Sequence, residues 1–299
     1  MMTTEKPPVC DYEGSDYQSS FWDAGGREYE DQVEALALGR LLPESGALML
    51  EIGAGAGRNT PRYQAYRKVV LVDYSTTPLE QAQANLGASE RYTYVAADVY
   101  QLPFVPGIFD GATMIRTLHH MAEPRLALHQ VRTVLQPGAS FILEYANKHN
   151  LKAMLRYALG RQTWSPYSHE AVEFTELNFD FHPLSIRSWL EQSGFSINRQ
   201  LTVSHFRINL IKRLFPLDLL VKMDGIAQLT GNWWQLSPSV FVSTAATGDT
   251  PIAPPGEIFR CLVCDKSDFE SSSAALTCRS CGQVWSCENG IYDFRLKES

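Results

Sequence analysis

The sequence contains no long hydrophobic run. Its most apolar stretch, residues 210–221, is interrupted by Lys212, Arg213, Pro216 and Asp218, so it is too short and too charged to span a bilayer. The first eight residues contain no apolar segment of the kind that secretory signals carry. These absences predict a cytoplasmic protein with no membrane span.

Positive charge is also scarce. The chain has 26 Lys and Arg against 33 Asp and Glu, which gives a formal net charge of −7 and a sequence pI near 5.5. A protein that mainly binds nucleic acid through its phosphates needs a basic surface. The charge balance therefore argues against nucleic acid as the partner, although it does not exclude a local basic patch on the surface.

Cysteine is nearly absent from the first 260 residues, where Cys10 stands alone, and internal repeats are absent throughout. At 44% hydrophobic residues, a chain of 299 residues can bury cores for about two domains without disulfides. The Pro- and Gly-rich stretch 247–256 has no hydrophobic period and reads as a linker. We expect one domain over 1–246 and a cysteine-rich domain over 257–299.

The first domain alternates apolar runs with helix-like segments. Near-continuous apolar runs are typical of strands that are buried on both faces of a parallel sheet. The predicted strands are 47–52, 68–73, 92–96, 111–115, 140–144, 195–203 and 239–243, and the predicted helices are 28–41, 124–135, 183–192 and an excursion over 208–229. This alternation predicts a Rossmann-like, doubly wound α/β sheet of seven strands.

A glycine-rich turn follows the first predicted strand. Gly53, Gly55 and Gly57 allow a tight turn and a close approach of backbone to a ligand, and the preceding Glu51 suits a cationic group better than a pyrophosphate. Asp73 ends the second strand, where it is placed to accept hydrogen bonds from a ribose diol. Asp98 ends the third strand, close to where an adenine would lie.

These motifs resemble those of the class I S-adenosylmethionine-dependent methyltransferases. The likeness covers about residues 28–147 and is greatest to the small-molecule branch typified by quinone-biosynthesis enzymes. It runs through residues 48–58, 72–75, 97–99, 102–104, 109–110, 117–121 and 135–138, and it departs at Ala139, where the family often has a second glycine.

The resemblance implies which residues hold the cofactor. Gly53, Gly55 and Gly57 would wrap the methionine moiety, Asp73 would bind the ribose, and Asp98 with Val99 would bind the adenine. We add four residues to this predicted set for their positions beside these motifs: Glu51, Tyr74, Arg116 and Arg27. We predict an N-terminal lid over residues 1–45 that contains Arg27, Tyr17, Phe21, Trp22 and Tyr29. Arg27 would pair with the methionine carboxylate. Packing of these residues on the protein surface is the alternative.

No catalytic residue is fixed by the sequence. His119 and His120 are candidates for a general base, although this dipeptide in the resembling family is largely helix-start packing. Glu144 and Tyr145 follow the fifth strand at the carboxyl edge of the sheet, where ligands of open sheets bind. The aromatic-rich segments 146–182 and 208–234 are expected to cap the pocket of the methyl acceptor.

The tail contains two Cys-x-x-Cys pairs, Cys261 with Cys264 and Cys278 with Cys281, separated by thirteen residues. Two such knuckles complete a tetrahedral Zn²⁺ site. A tail of 43 residues is near the limit for folding alone, so a structural metal would supply folding energy. We interpret Cys287 as a packed residue, and Asn289-Gly290 as a type I′ hairpin turn.

The tail resembles the small zinc-ribbon activator subunits that partner tRNA, rRNA and release-factor methyltransferases. From residue 257 onward it has five Lys and Arg against seven Asp and Glu. Four thiolates with Zn²⁺ would bring its charge to about −4. Such a module is a poor phosphate binder, so we expect it to contact its own methyltransferase domain.

The predicted function is methyl transfer from S-adenosylmethionine to a small, partly apolar metabolite, with the ribbon stabilising the catalytic domain in cis. Two alternatives stay open. One is an RNA or protein methyltransferase whose ribbon presents the macromolecule; the other is a non-catalytic S-adenosylmethionine-binding module. The sequence names neither the acceptor nor the methylated atom, and it leaves the oligomeric state open, a homodimer included.

Overall fold

The fold is built around one mixed β-sheet. A computed structural model describes residues 6–14, 26–87, 89–254 and 256–296. The elements of its first half are α1 (Glu28–Leu41), β1 (Gly46–Ile52), β2 (Tyr66–Asp73), α2 (Thr76–Leu86), β3 (Tyr92–Ala96), β4 (Phe109–Met114), α3 (Pro124–Val134) and β5 (Leu135–Ala146). Strands β1 to β5 are parallel, as their apolar runs predict.

The second half of the first domain adds two antiparallel strands and the elements that cap the sheet. These are α4 (Leu151–Ala158), β6 (Val172–Thr175), β7 (Asn178–Asp180), α5 (Pro183–Gln192), β8 (Phe195–Val203), α6 (Asn209–Leu214), α7 (Leu217–Ala227) and β9 (Ser239–Ala246). The order β3-β2-β1-β4-β5-β9-β8 is the predicted seven-stranded sheet, which is therefore confirmed. The predicted excursion over 208–229 forms two helices, because Pro216 lacks the backbone N–H that a continuous helix would use.

Alternate residues of β2 show that helices cover both faces of this sheet. Val70 and Val72 face the core that also contains Leu128 of α3 and Ile186 of α5. Val69 and Leu71 point the other way, into the core that contains Leu79 of α2. A third cluster joins α1 to β8 and α7. The sheet is thus doubly wound, and its carboxyl edge stays open for a site.

Four short strands form the tail: β10 (Phe269–Ser271), β11 (Ala275–Cys278), β12 (Val284–Glu288) and β13 (Ile291–Asp293). Asn289 and Gly290 have φ angles of 53° and 78°, the double positive φ of a type I′ turn between β12 and β13. β13 pairs in parallel with β3, Ile291 opposite Tyr94 and Asp293 opposite Ala96. The tail thereby extends the sheet to eleven strands.

Aromatic rings join the tail to the first domain beneath this pairing. Phe259 stacks on Phe104 of the first domain at a centroid distance of 5.9 Å, and Phe294 lies 4.9 Å from Phe259. Trp285 stacks on Phe294 at 5.0 Å, and both side chains are buried. The backbone N–H of Phe294 donates to the carbonyl of Ala96 (2.8 Å). The three rings of the tail, Phe259, Trp285 and Phe294, therefore pack against one another and against Phe104 of the first domain.

Among the described residues, we find no helix with the length and apolar character that crossing a membrane requires.

Candidate active site

A cavity opens at the carboxyl edge of the sheet, where β1, β2 and β4 end. Its lining combines the turn after β1, the ends of β2 and β4, and a segment near the N-terminus. The lining residues used below are Val9, Cys10, Tyr12, Gly53, Gly55, Arg58, Asp73, Tyr74, Val99, Arg116, Thr117 and His120. This is the crevice position that open α/β sheets use for ligands.

The glycine turn forms the floor of this cavity. Gly53, Gly55 and Gly57 have φ angles of 68°, 53° and 75°, in the left-handed region that side-chain-bearing residues rarely adopt. A Cβ on Gly53 would collide with Thr117, whereas a Cβ on Gly55 would meet nothing within 4 Å. Gly55 therefore presents bare backbone to the cavity, as close contact with a ligand requires. Gly57 instead packs behind the turn, against Ala82 and Leu86 of α2.

Asp73 is positioned by the same turn. Its Oδ2 accepts a hydrogen bond from the backbone N–H of Gly55 (2.9 Å), and its Oδ1 accepts one from Ser75 N–H (3.3 Å). Burial raises the pKa of its carboxyl above the ordinary value. The neighbouring Tyr74 and, from the next strand, Val99 also line the cavity.

Asp98 caps the short turn that follows β3 and is not among the lining residues. Its Oδ1 accepts a hydrogen bond from Tyr100 N–H (2.9 Å), and its Oδ2 lies 3.0 Å from Nζ of Lys6. The ion pair with Lys6, which the sequence analysis did not anticipate, ties the N-terminal segment to this acid.

Residues 6–14, which we call the N-terminal strap, cross the cavity. Tyr12 N–H donates to Ser75 Oγ (2.7 Å), and Tyr12 Oη lies 3.2 Å from His120 Nε2. The strap lies upstream of all four aromatic residues from which we predicted a lid. Of those, Tyr17, Phe21 and Trp22 lie outside the described residues. Arg27 directly precedes α1 and Tyr29 is buried in the core around α1, and neither lines the cavity.

Glu51 does not line the cavity, contrary to our interpretation of it as a partner for a cationic group. Its carboxylate is buried behind the glycine turn, where it accepts hydrogen bonds from Thr60 Oγ1 (2.6 Å) and Tyr63 Oη (3.3 Å). Burial raises the pKa of Glu51 to about 7. Its place at the end of a buried strand makes it an internal support for the turn.

Arg116 lines the cavity as part of a charged cluster with α1. Its φ of 56° turns the backbone so that its N–H donates to Glu144 (2.9 Å), while Nε donates to Glu34 (2.7 Å). Arg58 Nη2 also donates to Glu34 (2.8 Å). Burial alone would raise the pKa of Glu34, but the two guanidinium groups lower it below the ordinary value. The cluster fixes two lining arginines in place.

Of the four candidate catalytic residues, His120 alone faces the cavity. His119 is half-buried and does not line the cavity, and burial lowers its pKa well below the ordinary value, so it stays neutral. Glu144 is held under the sheet edge by Ser239 Oγ (2.6 Å) and Arg116 N–H. Tyr145 lies in the hydrophobic core. The structure thus removes His119, Glu144 and Tyr145 from contact with a ligand in this cavity.

The four cysteines of the tail converge on one point. Sγ of Cys261 lies 3.7 Å from that of Cys281, Sγ of Cys264 lies 3.5 Å from that of Cys278, and all four atoms lie within 4.8 Å of one another. Disulfide sulfurs would be about 2 Å apart. A tetrahedral ion with Zn–S bonds of about 2.3 Å spaces its sulfurs about 3.8 Å apart. The cluster therefore fits a single metal ion with four thiolate ligands; Cys287 stands outside it.

Comparison with known proteins identifies the domain around the cavity. Residues 50–143, from the glycine turn through β5, match a family described as methyltransferase domain. Residues 50–143 form a methyltransferase domain. The predicted class I methyltransferase is confirmed by this match and by the fold.

Three similar proteins show the range of relatives. The chain is 28% identical to a demethylmenaquinone methyltransferase of Clavibacter sepedonicus, over 56% of this chain and 69% of that one. It is 33% identical to the O-methyltransferase cnsE of Penicillium expansum, over 35% of this chain and 40% of that protein. An S-adenosylmethionine-dependent methyltransferase structure from Mesorhizobium loti matches 73% of this chain and 99% of its own, with 21% identity and a TM-score of 0.54. The chain thus spans 69% and 40% of the lengths of the two curated relatives.

Proposed function

We propose that this protein transfers the methyl group of S-adenosylmethionine to a small, partly apolar acceptor. The observation that carries the proposal is the bare backbone of Gly55 at the cavity floor, hydrogen-bonded to the carboxylate of Asp73. A sulfonium cofactor with an amino acid at one end and a nucleoside at the other needs such a turn and an acid beside it. The methyltransferase relatives support the same cofactor.

The lining residues divide between the parts of the cofactor. The turn around Gly53 and Gly55 would hold the methionine portion, with Arg116 and Arg58 near its carboxylate. Asp73 would accept hydrogen bonds from the ribose, and Val99 would contact the adenine. Asp98 lies outside the lining and is paired with Lys6, so it would support this end of the cavity indirectly. When bound, the cofactor supplies an electrophilic methyl group. Gly57 supports the turn from behind and does not touch the ligand.

The residues around the methyl group mainly have to align the two reactants, because displacement at a sulfonium needs proximity more than acid catalysis. A base is required only for an acceptor that carries a proton. His120 fits that role: its Nδ1 lies 2.9 Å from the carbonyl oxygen of Leu177, which can only accept, so Nδ1 holds the proton. Nε2 is then the accepting nitrogen, and in this structure it accepts from Tyr12 Oη (3.2 Å). A bound methyl acceptor would take the place of that hydroxyl and give its proton to Nε2.

The size and polarity of the acceptor follow from the relatives and from charge. The relatives named above are a demethylmenaquinone methyltransferase and an O-methyltransferase, so we propose a small molecule as the acceptor. A macromolecular acceptor such as RNA would need basic surface, whereas the tail carries five Lys and Arg against seven Asp and Glu.

We further propose that the four cysteines bind one structural Zn²⁺ and that the tail stabilises the methyltransferase domain in cis. Four thiolates leave no open position for a catalytic water. The support for a stabilising role is the parallel pairing of β13 with β3, since a folded tail covers an edge of the sheet that would otherwise be unpaired.

The acceptor class is tested by incubating the protein with methyl-labelled S-adenosylmethionine and an extract, then separating lipid-soluble metabolites, water-soluble metabolites, RNA and protein. We expect label in a small-molecule fraction and none with Asp73→Ala. Label in RNA or protein instead would contradict the proposed acceptor.

The proposed base is tested with the His120→Ala variant, in which we expect kcat to fall at least tenfold with unchanged cofactor affinity. An unaltered kcat would show that His120 is not the base.

A further inference from the structure

Two segments of the first domain expose apolar side chains that a globular surface usually covers. In α4 only Ala153 is buried, while Leu151, Leu155 and Leu159 after its end are 63%, 59% and 57% exposed. In the second segment Leu210 and Leu214 of α6 are 64% and 65% exposed. Exposed apolar patches of this kind mark interaction surfaces.

Two exposed tryptophans follow the second segment in the chain. Trp233 is 77% exposed and Trp234 is 57% exposed. The chain just after them is hydrogen-bonded to the start of α4, since Leu151 N–H donates to the carbonyl of Leu236 (2.9 Å). Exposed indole rings next to an apolar helix are typical of surfaces that reach the interface between water and lipid.

Strand direction brings the two segments to one edge of the sheet. β5 and β8 are both antiparallel to β9, so they run the same way. α4 follows β5, α6 follows β8, and both therefore leave the sheet at its carboxyl edge. This is also the edge at which the cavity opens. We call the surface formed by Leu151, Leu155, Leu159, Leu210, Leu214 and Trp233 the apolar rim.

The charge around the apolar rim is opposite to that of the protein. Residues 147–169 and 205–234 expose five basic side chains and one acidic side chain, that of Asp218, in a chain whose net charge is −7. Lys148 is buried, and Arg207 and Lys212 pair with Glu30, so these three are not counted. Lys152, Arg156 and Arg161 are exposed on and just after α4, and Arg213 and Lys222 are exposed in the second segment. Basic side chains interleaved with leucine and tryptophan complement an anionic bilayer surface.

We propose that the apolar rim docks this protein on the surface of an anionic membrane, with leucine and tryptophan side chains in the headgroup region and the lysines and arginines on lipid phosphates. The basic side chains around the apolar rim favour an anionic lipid surface over an uncharged apolar surface of another protein as its partner. Docking would bring the cavity mouth to the bilayer, where an apolar acceptor is dissolved; this part rests on the proposed function, while docking itself needs no catalysis.

Co-sedimentation of the full chain with vesicles tests the proposal. We expect the protein to pellet with vesicles of equal parts phosphatidylglycerol and phosphatidylcholine, and at least tenfold less with pure phosphatidylcholine or in high salt. Leu155→Glu with Leu159→Glu should release it, and so should Lys152→Glu with Arg156→Glu. Matched controls on other surfaces are Ile252→Glu, at a residue 66% exposed in the linker, and Arg279→Glu in the tail. Unchanged melting temperatures show that each variant is folded.

Two results would overturn the proposal. One is a protein that stays in the supernatant with every vesicle, or whose pelleting is unaffected by the α4 variants. The other is a dimer, seen by light scattering, that Leu155→Glu dissociates in the absence of any vesicle binding, because the apolar rim would then be a protein interface. Neither result depends on methyl transfer, so the test is separate from that of the proposed function.

Discussion

Arg295, near the end of the tail, donates a hydrogen bond from Nη1 to the backbone carbonyl of Tyr74, which lines the cavity (3.2 Å). Its Nη2 is held by Asp293 of β13 at 2.7 Å, and its Nη1 lies 3.9 Å from Glu13 of the strap. The tail thus contacts both the cavity wall and the segment that crosses the cavity. Its folding and the shape of the site are therefore connected through named atoms.

The first prediction concerns Phe294, which is buried between Trp285 and Phe259. Phe294→Ala should lower the free energy of unfolding by about 3–5 kcal/mol, because it removes a fully buried ring from the interface between the tail and β3. Leu296→Ala, two residues on and 38% exposed, is the matched control and should change it by less than about 1 kcal/mol. Urea unfolding measures both. If Phe294→Ala and Leu296→Ala changed the free energy of unfolding equally, the packing of the tail on the first domain would not stabilise the protein.

A second prediction concerns the metal. Reduced protein should contain one zinc per chain by elemental analysis, and Cys278→Ser should lose it and lower the melting temperature. Cys287→Ser, which changes a thiol outside the cluster, should keep both the zinc and the melting temperature. Zinc-free wild-type protein with a normal melting temperature would contradict the structural role of the cluster.

The third prediction concerns Glu51, whose pKa is raised to about 7 in the folded protein. Its folded pKa lies above its unfolded value, so the folded state binds more protons, and this contribution to stability is lost as the pH rises from about 4.5 to about 7. Glu51→Gln stays uncharged and should remove the loss, by on the order of 2 kcal/mol at pH 8 relative to pH 5. Urea unfolding of both proteins at pH 5, 6, 7 and 8 checks it; parallel pH profiles would show that the carboxyl is ionised throughout.

Most of the central sheet could be predicted from the sequence. Strands buried on both faces require continuous apolar runs, and β1 to β5 each show one. The pairing of β13 with β3 could not be predicted, because any unpaired strand edge offers the same backbone groups and the sequence does not say which edge is free. The break between α6 and α7 falls at Pro216, where the residue type alone argues against a continuous helix.

Part of the candidate site could also be predicted from the sequence. The turn after β1 needs a backbone conformation that favours glycine, so the residue type alone places Gly53 and Gly55 in it. Glu51, Glu144 and Tyr145 stand at the ends of strands, as ligand-contacting residues do, but the sequence does not show what occupies their side chains. Thr60 and Ser239 hold the two carboxylates, and Tyr145 lies in the hydrophobic core. The strap has no hydrophobic period, so nothing in its sequence indicates that Lys6 reaches Asp98 or that Tyr12 reaches His120.

The central claim is that the cavity binds S-adenosylmethionine through Gly55 and Asp73, and calorimetric titration of the folded protein tests it most directly. We predict that wild type binds S-adenosylmethionine or S-adenosylhomocysteine. Asp73→Ala should bind about 10- to 100-fold more weakly, because it removes a charged acceptor from the ribose. Gly55→Val should abolish binding by filling the cavity floor. Gly138→Val, at an exposed glycine with a φ of 79° and open space around it, shares the backbone strain and should leave binding intact. A wild type that binds neither ligand, or affinity unchanged in both site variants, would contradict the account.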